Sequence, residues 1–167
     1  MPFATRSGAL TLAVFAAAAL AGGCASLTRG PAACDVLAID EIATVVNVTA
    51  IRRDDSSSGF NTKTRIDSCR WTASGGTTVE LRLYRADAED AWALVFESAK
   101  AHATTPDAAG RVRGRTLSGV GDDAMILPGS AGEESVAFKV GRTGATLAGR
   151  APEAALVELA KRVAGRL

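Results

Sequence analysis

Two cysteines constrain this chain more than any other feature: Cys34, and Cys69 at the head of the triplet Cys69-Arg70-Trp71. A bridge between them would tie an N-terminal helix to the first buried strand of a sheet, with Trp71 beside it as the largest core side chain. It would close a loop of about 35 residues, which the chain-entropy relation values at roughly 3.5 to 4 kcal/mol. Two separate buried thiols are the alternative. The bridge is the expectation, because free buried thiols are a liability in an oxidising compartment. Two cysteines with one distant histidine do not make a zinc site.

The compartment follows from the N-terminus. Arg6 is the sole charge before an apolar run from Ala9 to Leu20, which closes in Ala21, Gly22 and Gly23. That run is too short to span a bilayer and has the layout of a secretory signal. Cys24 follows at once. The stretch Leu20-Ala21-Gly22-Gly23-Cys24 resembles a bacterial lipobox, with Ala21 where that motif most often has leucine. The resemblance implies cleavage before Cys24, a diacylglycerol thioether on its sulfur and acylation of its new amino group. Ordinary signal-peptidase cleavage nearby is the alternative. On the lipobox reading the chain divides into a signal peptide over 1–23, a tether over 24–33 and a single domain over 34–167. The removed segment carries one base and no acid, so a chain of 19 basic and 18 acidic residues becomes formally neutral. Neutrality argues against nucleic acid as a partner. Acyl chains anchor through about 0.8 kcal/mol per buried methylene, which places the domain on a membrane and not in it.

Beyond Gly30-Pro31 the pattern becomes that of a folded domain. Ile42, Val45 and Val46 recur at helical spacing between Ala38 and Val46, with Glu41 in the first turn and Asn47 suited to the C-terminal cap. Thr49 to Arg53 reads as a brief strand, and the polar stretch Asp54 to Lys63 as an exposed loop. Cys69, Trp71 and Ala73, then Val79, Leu81 and Leu83, alternate on either side of Ser74-Gly75-Gly76, predicting a hairpin with one buried face. Asp87 would cap a helix with the stripe Ala88, Trp92, Val95, Phe96 and Ala99, running to about His102. After a loop containing Pro106, strands are expected at Val112 to Leu117 and Ala124 to Leu127, separated by the turn Gly119-Val120-Gly121-Asp122.

A second hairpin has Val136, Phe138 and Val140 inward, Gly141-Arg142-Thr143-Gly144 as its turn and Ala145 to Arg150 returning. Pro152 opens the last helix at its first position, with Leu156, Leu159, Ala160, Val163 and Leu167 as the apolar stripe and Lys161, Arg162 and Arg166 near the negative dipole end. Hairpin then helix therefore occurs twice, suggesting two ββα-like units around one antiparallel sheet in an α+β sandwich.

Taken together, the lipobox, Cys34 with Val36-Leu37 and Glu41-Ile42, Cys69-x-Trp71, Gly119-Val120-Gly121-Asp122-Asp123-Ala124 and the amphipathic C-terminal helix resemble small actinobacterial envelope lipoproteins of unknown function. The resemblance implies a fold similar to the PsbP and Mog1 proteins and brings no catalytic residues. In a Gram-negative host, Ala25 after the lipidated cysteine would look like an outer-membrane sorting signal.

No reactive constellation stands out. Asp54-Asp55-Ser56-Ser57-Ser58 has the spacing of a metal-adhesion loop, but Arg52 and Arg53 precede it where a buried apolar strand belongs, and a solvated loop is the better reading. Gly119 to Asp123 has no helical pattern after it to complete a phosphate cradle, leaving a tight turn. Arg111, Arg113 and Arg115 alternate and would line one face of a strand, either as a charged edge or as a contact for anions or an acidic partner. His102 is the one histidine, and no Gly-x-Ser-x-Gly elbow accompanies it. Trp71, Trp92, Phe96 and Phe138 read as core, or as the lining of an apolar pocket. The expectation is an exported, lipid-anchored, non-enzymatic binding or accessory module without a cofactor, facing the extracytoplasmic side. Its partners would be the membrane through the lipid and an envelope protein. A carrier of a lipid or other apolar ligand is the alternative, and a small envelope hydrolase built on His102 a lesser one.

Overall fold

The computed structural model describes residues 30–61, 64–86, 91–106, 108–128 and 133–167. The expected signal over 1–23, Cys24 and most of the expected tether lie outside them. Two short helices, α1 (Ala33–Val36) and α2 (Ile39–Val45), precede strands β1 (Ile51–Asn61), β2 (Thr64–Ala73) and β3 (Thr78–Ala86). Helix α3 (Ala91–Thr104) is followed by β4 (Arg115–Leu117), β5 (Asp123–Pro128), β6 (Glu134–Val140), β7 (Thr143–Gly149) and helix α4 (Glu153–Ala164). The strands form one seven-stranded sheet in the order β1-β2-β3-β7-β6-β5-β4, with every neighbouring pair antiparallel. The protein is thus α+β. No helix among the described residues is long and apolar enough to cross a membrane.

The period of two assigns the faces. Cys69, Trp71, Val79, Leu81, Leu83, Val136, Phe138, Ala145 and Leu147 are all buried in one cluster with residues of α1, α2 and α4. Their neighbours one position along, Met125 and Ala137, instead pack with Phe96 and Ala103 of α3. Helix α4 therefore covers one face and α3 the other. Burial of Leu156, Leu159 and Val163 on α4, each at 0% exposure, contributes roughly 1.5 to 3 kcal/mol per side chain.

The disulfide is present: Cys34 of α1 is bonded to Cys69 of β2. It ties an N-terminal helix to a buried strand, as the spacing of apolar residues suggests, and Trp71 is buried two positions on. Asn47, the residue after the C-cap Val46 of α2, has φ 55°, the left-handed position that asparagine tolerates.

Several expectations are corrected. Of the polar stretch 54–63, expected as a loop, residues 54–61 are strand: β1 runs to Asn61 and pairs along its length with β2, shifted once by a bulge between Arg53 and Asp55. Its hydrophilicity fits an edge strand, whose outer side meets water. Only Arg115 to Leu117 of the expected strand 112–117 is extended, because Arg113 and Gly114 donate their amides to the Ala103 carbonyl at the end of α3 (3.1 and 2.9 Å). Gly114 makes that approach feasible, since a Cβ there would lie 2.7 Å from the Ile126 carbonyl oxygen and 2.8 Å from Ala103 Cβ. The second hairpin turns on Gly141 and Arg142 alone, as Val140 pairs with Thr143. Pro152 is the N-cap of α4 and not its first residue. The two hairpins do meet at the centre through β3 and β7, but their helices lie on opposite faces and the units are not equivalent.

Glu41 joins the two helical ends. It accepts the Ala38 amide at 3.1 Å, Arg166 at 2.5 Å and Arg162 at 3.4 Å, so the cations of α4 answer a carboxylate as well as a dipole. The Arg166 hydrogen bond, helped by the Ala38 amide, lowers the Glu41 carboxyl from an ordinary 4.5 to about 2. A lowered folded-state pKa stabilises above the unfolded value and is lost as pH falls through the folded one. Acid titration should therefore show a stability loss between about pH 4.5 and 2, and that part of the loss should be missing in Glu41→Gln; an unchanged acid profile would contradict the assignment. Cys69→Ser should lower the thermal midpoint by on the order of 10 °C, from the roughly 4 kcal/mol of loop closure. An unchanged midpoint in a scanning calorimeter would refute a stabilising bridge.

Candidate functional site

Helix α3 covers only part of its sheet face, and beside it β1, β2 and β3 present a polar cleft of about 350 Å³. Alternation puts its side chains there: Ser68 and Arg70 flank buried Cys69, while Glu80, Arg82 and Tyr84 flank buried Leu81 and Leu83. Ser57 of β1 and Ser68 of β2 are register partners, and their hydroxyls are 2.7 Å apart. Glu80 stands between two arginines, accepting from Arg70 Nη2 at 2.5 Å and from Arg82 Nε. Burial raises the Glu80 carboxyl, but the hydrogen bonds from Arg70 and Arg82 outweigh it and hold the group below its ordinary value. Glu80 in turn raises Arg82. The three form an ion network in which one carboxylate orients two guanidinium planes. This arrangement suits recognition of polar groups.

The opposite face carries a second charged group. Asp67 shares the parity of Cys69 and is buried, 3% exposed. It accepts from Arg65 at 3.1 Å and from Arg85 at 2.6 Å. Arg85 also donates to the Pro31 carbonyl, fastening the incoming chain to the sheet end. Burial lowers Arg85, with Asp67 opposing the shift. Sequence reading passed over this knot, although Arg65, Asp67, Cys69 and Leu83, Arg85 stand at alternate positions of paired strands. The signal was charge at positions of core parity.

The expected site residues are scattered. Arg115 leaves the proposed stripe to pair with Glu153, while Arg111 and Arg113 are exposed in the segment before β4. The three do not line one strand face. Asp54 sits at the β1 bulge and pairs with Arg52 at 2.9 Å, and the metal-adhesion spacing falls on an extended strand. Among the described residues no three His, Cys, Asp or Glu side chains gather as a metal cage. The segment Gly119 to Asp122 turns into β5: Asp122 accepts the Gly141 amide at 2.6 Å and donates its own to Lys139 at 2.8 Å. Gly121, at φ 57°, would place a Cβ 2.2 Å from the Lys139 carbonyl oxygen, so the glycine serves backbone contact. Trp71 and Phe138 belong to the main core and Phe96 to the core under α3. The side chains of Trp92 and His102 lie outside those described.

No family model matches the chain, and no curated protein does. A solved structure similar to it is a GTP binding regulator from Thermotoga maritima, 12% identical, with 76% of this chain and 84% of that chain covered and a TM-score of 0.42.

Asp67→Ala would leave Arg65 and Arg85 facing each other with side chains only 23% and 18% exposed. Removing one partner of a buried ion group costs about 3 kcal/mol. Urea unfolding should show a midpoint shift of that size, and a variant as stable as the parent would show the knot to be energetically neutral.

Proposed function

We propose that the chain is an exported lipoprotein, held to a membrane at Cys24, whose domain serves as a non-enzymatic binding or accessory module in the cell envelope. The observation that carries this reading is the Cys34–Cys69 bond. A structural disulfide belongs to an oxidising compartment, and this one begins ten residues after the lipobox-like cysteine. The resemblance to actinobacterial envelope lipoproteins, and in fold to PsbP and Mog1, agrees with it and is part of the proposal.

The polar cleft over β1, β2 and β3 is the contact surface we assign to the module. Its oriented arginines and Tyr84 are residue types favoured where proteins meet. The carrier alternative has weaker support, because Trp71, Leu81, Phe138 and Leu156 fill the space between sheet and helices. A hydrolase would rest on His102 alone.

Cell fractionation tests the anchor. The parent chain should sediment with membranes and be released by detergent, whereas Cys24→Ser should lose that attachment; retention of the variant on membranes would defeat lipidation as the anchor.

A further inference from the structure

A second cleft, of about 300 Å³, opens where the chain enters the domain, between α1 and the strands β1 and β2. Cys34 and the two residues before it form one wall, Arg53, Ser56, Ser58, Arg65 and Asp67 line most of the rest, and Ser57 and Ser68 are shared with the cleft over β1, β2 and β3. Register explains the grouping, since Arg53, Ser56 and Ser58 stand opposite Trp71, Cys69 and Asp67. Two arginines and two hydroxyls therefore converge on one space. Asp67 is already paired with Arg65 and Arg85, so a lining of two arginines and one neutralised carboxylate leaves the site cationic. Arg53, Ser56 and Ser58 are exposed, and their side chains have no hydrogen-bond or ion-pair partner among the described residues. Donors without acceptors beside a partly shielded guanidinium make a receptor for an oxyanion, and arginine matches phosphate oxygens in a two-pronged fashion.

Chain length says which oxyanion is within reach. Pro31, held by Arg85, is seven residues beyond Cys24, and seven extended residues span at most about 25 Å. If Cys24 carries the lipid, the mouth of this cleft stays within that distance of the headgroup layer. We propose that the cleft of Arg53, Ser56, Ser58 and Arg65 binds the phosphate of an anionic phospholipid headgroup. Its occupancy holds the domain against the membrane with the tether side down. The orientation rests on lipidation of Cys24, but the binding does not. The acyl chains fix the distance of the domain from the membrane but not its orientation, which a cationic contact with the headgroups would set.

The test uses the chain from residue 24 onward, which holds every described element, with Cys24→Ser so that no lipid contributes. It should sediment with vesicles of phosphatidylcholine containing a third phosphatidylglycerol more than with phosphatidylcholine alone. Arg53→Ala should weaken that binding on the order of fivefold, the usual contribution of one basic residue at an anionic surface. Arg53 is exposed, so the variant should keep its thermal midpoint. Ser56→Ala with Ser58→Ala should also weaken binding, which a purely diffuse charge effect would not do. Arg115→Ala, at the far sheet edge, should leave it unchanged. Equal loss from Arg53→Ala and Arg115→Ala would overturn the site. Arg53-dependent binding of inorganic phosphate without preference for anionic vesicles would overturn the lipid assignment. A chain that is lipidated in cells but shows no Arg53-dependent vesicle binding sinks this inference alone. Vesicle binding in a chain not lipidated at Cys24 sinks only the anchor.

Discussion

The bond between Cys34 and Cys69 fixes more of this molecule than its own two residues. It brings α1 onto β2 at a buried position, and from there the alternation of β2 carries Trp71 into the core and Asp67 to the adjoining end of the same face. Asp67 then recruits Arg65 and Arg85, and Arg85 reaches back to Pro31. Entry chain, helix and strand are thereby fastened by one covalent link and one charged knot. Helix α1 has four residues, too few to hold helical structure alone. Its place depends on that fastening.

A consequence is an asymmetric sheet. The face under α1, α2 and α4 is filled by large apolar side chains, while the other is apolar only where α3 lies on it. Over β1, β2 and β3 that second face is instead built from serines, arginines, Glu80 and Tyr84, with Ile66 among them. Such a surface satisfies itself in water through the Glu80 network. Two polar clefts therefore open over β1 and β2 and share Ser57 and Ser68, one of them walled by Ala32, Ala33 and Cys34 at the entering chain.

Much of this was legible in the residues. Cys69, Trp71, Val79, Leu81 and Leu83 announced a hairpin through strict alternation, and Leu156, Leu159, Ala160 and Val163 announced α4, because buried faces force apolar residues into fixed periods. The parts that escaped lack that force. β1 reads as a loop, since an edge strand paired on one side can be polar throughout. The Arg111 to Arg115 alternation looked like a strand but is interrupted by Gly114, whose amide is claimed by α3. Side choice for α3 and α4 was hidden too, as a helix stripe shows that it is buried without saying against which face. The charged knot and both clefts depend on register between β1, β2 and β3. Register becomes visible only when strands are paired.

The most direct test of the account is the intact mass of the protein extracted in detergent from its own membranes, read with and without reduction. The account predicts a chain that starts at Cys24, carries diacylglycerol and acyl mass on that residue, and gains two hydrogens on reduction of the Cys34–Cys69 bond. An unmodified chain starting elsewhere, or a mass indifferent to reduction, would contradict it.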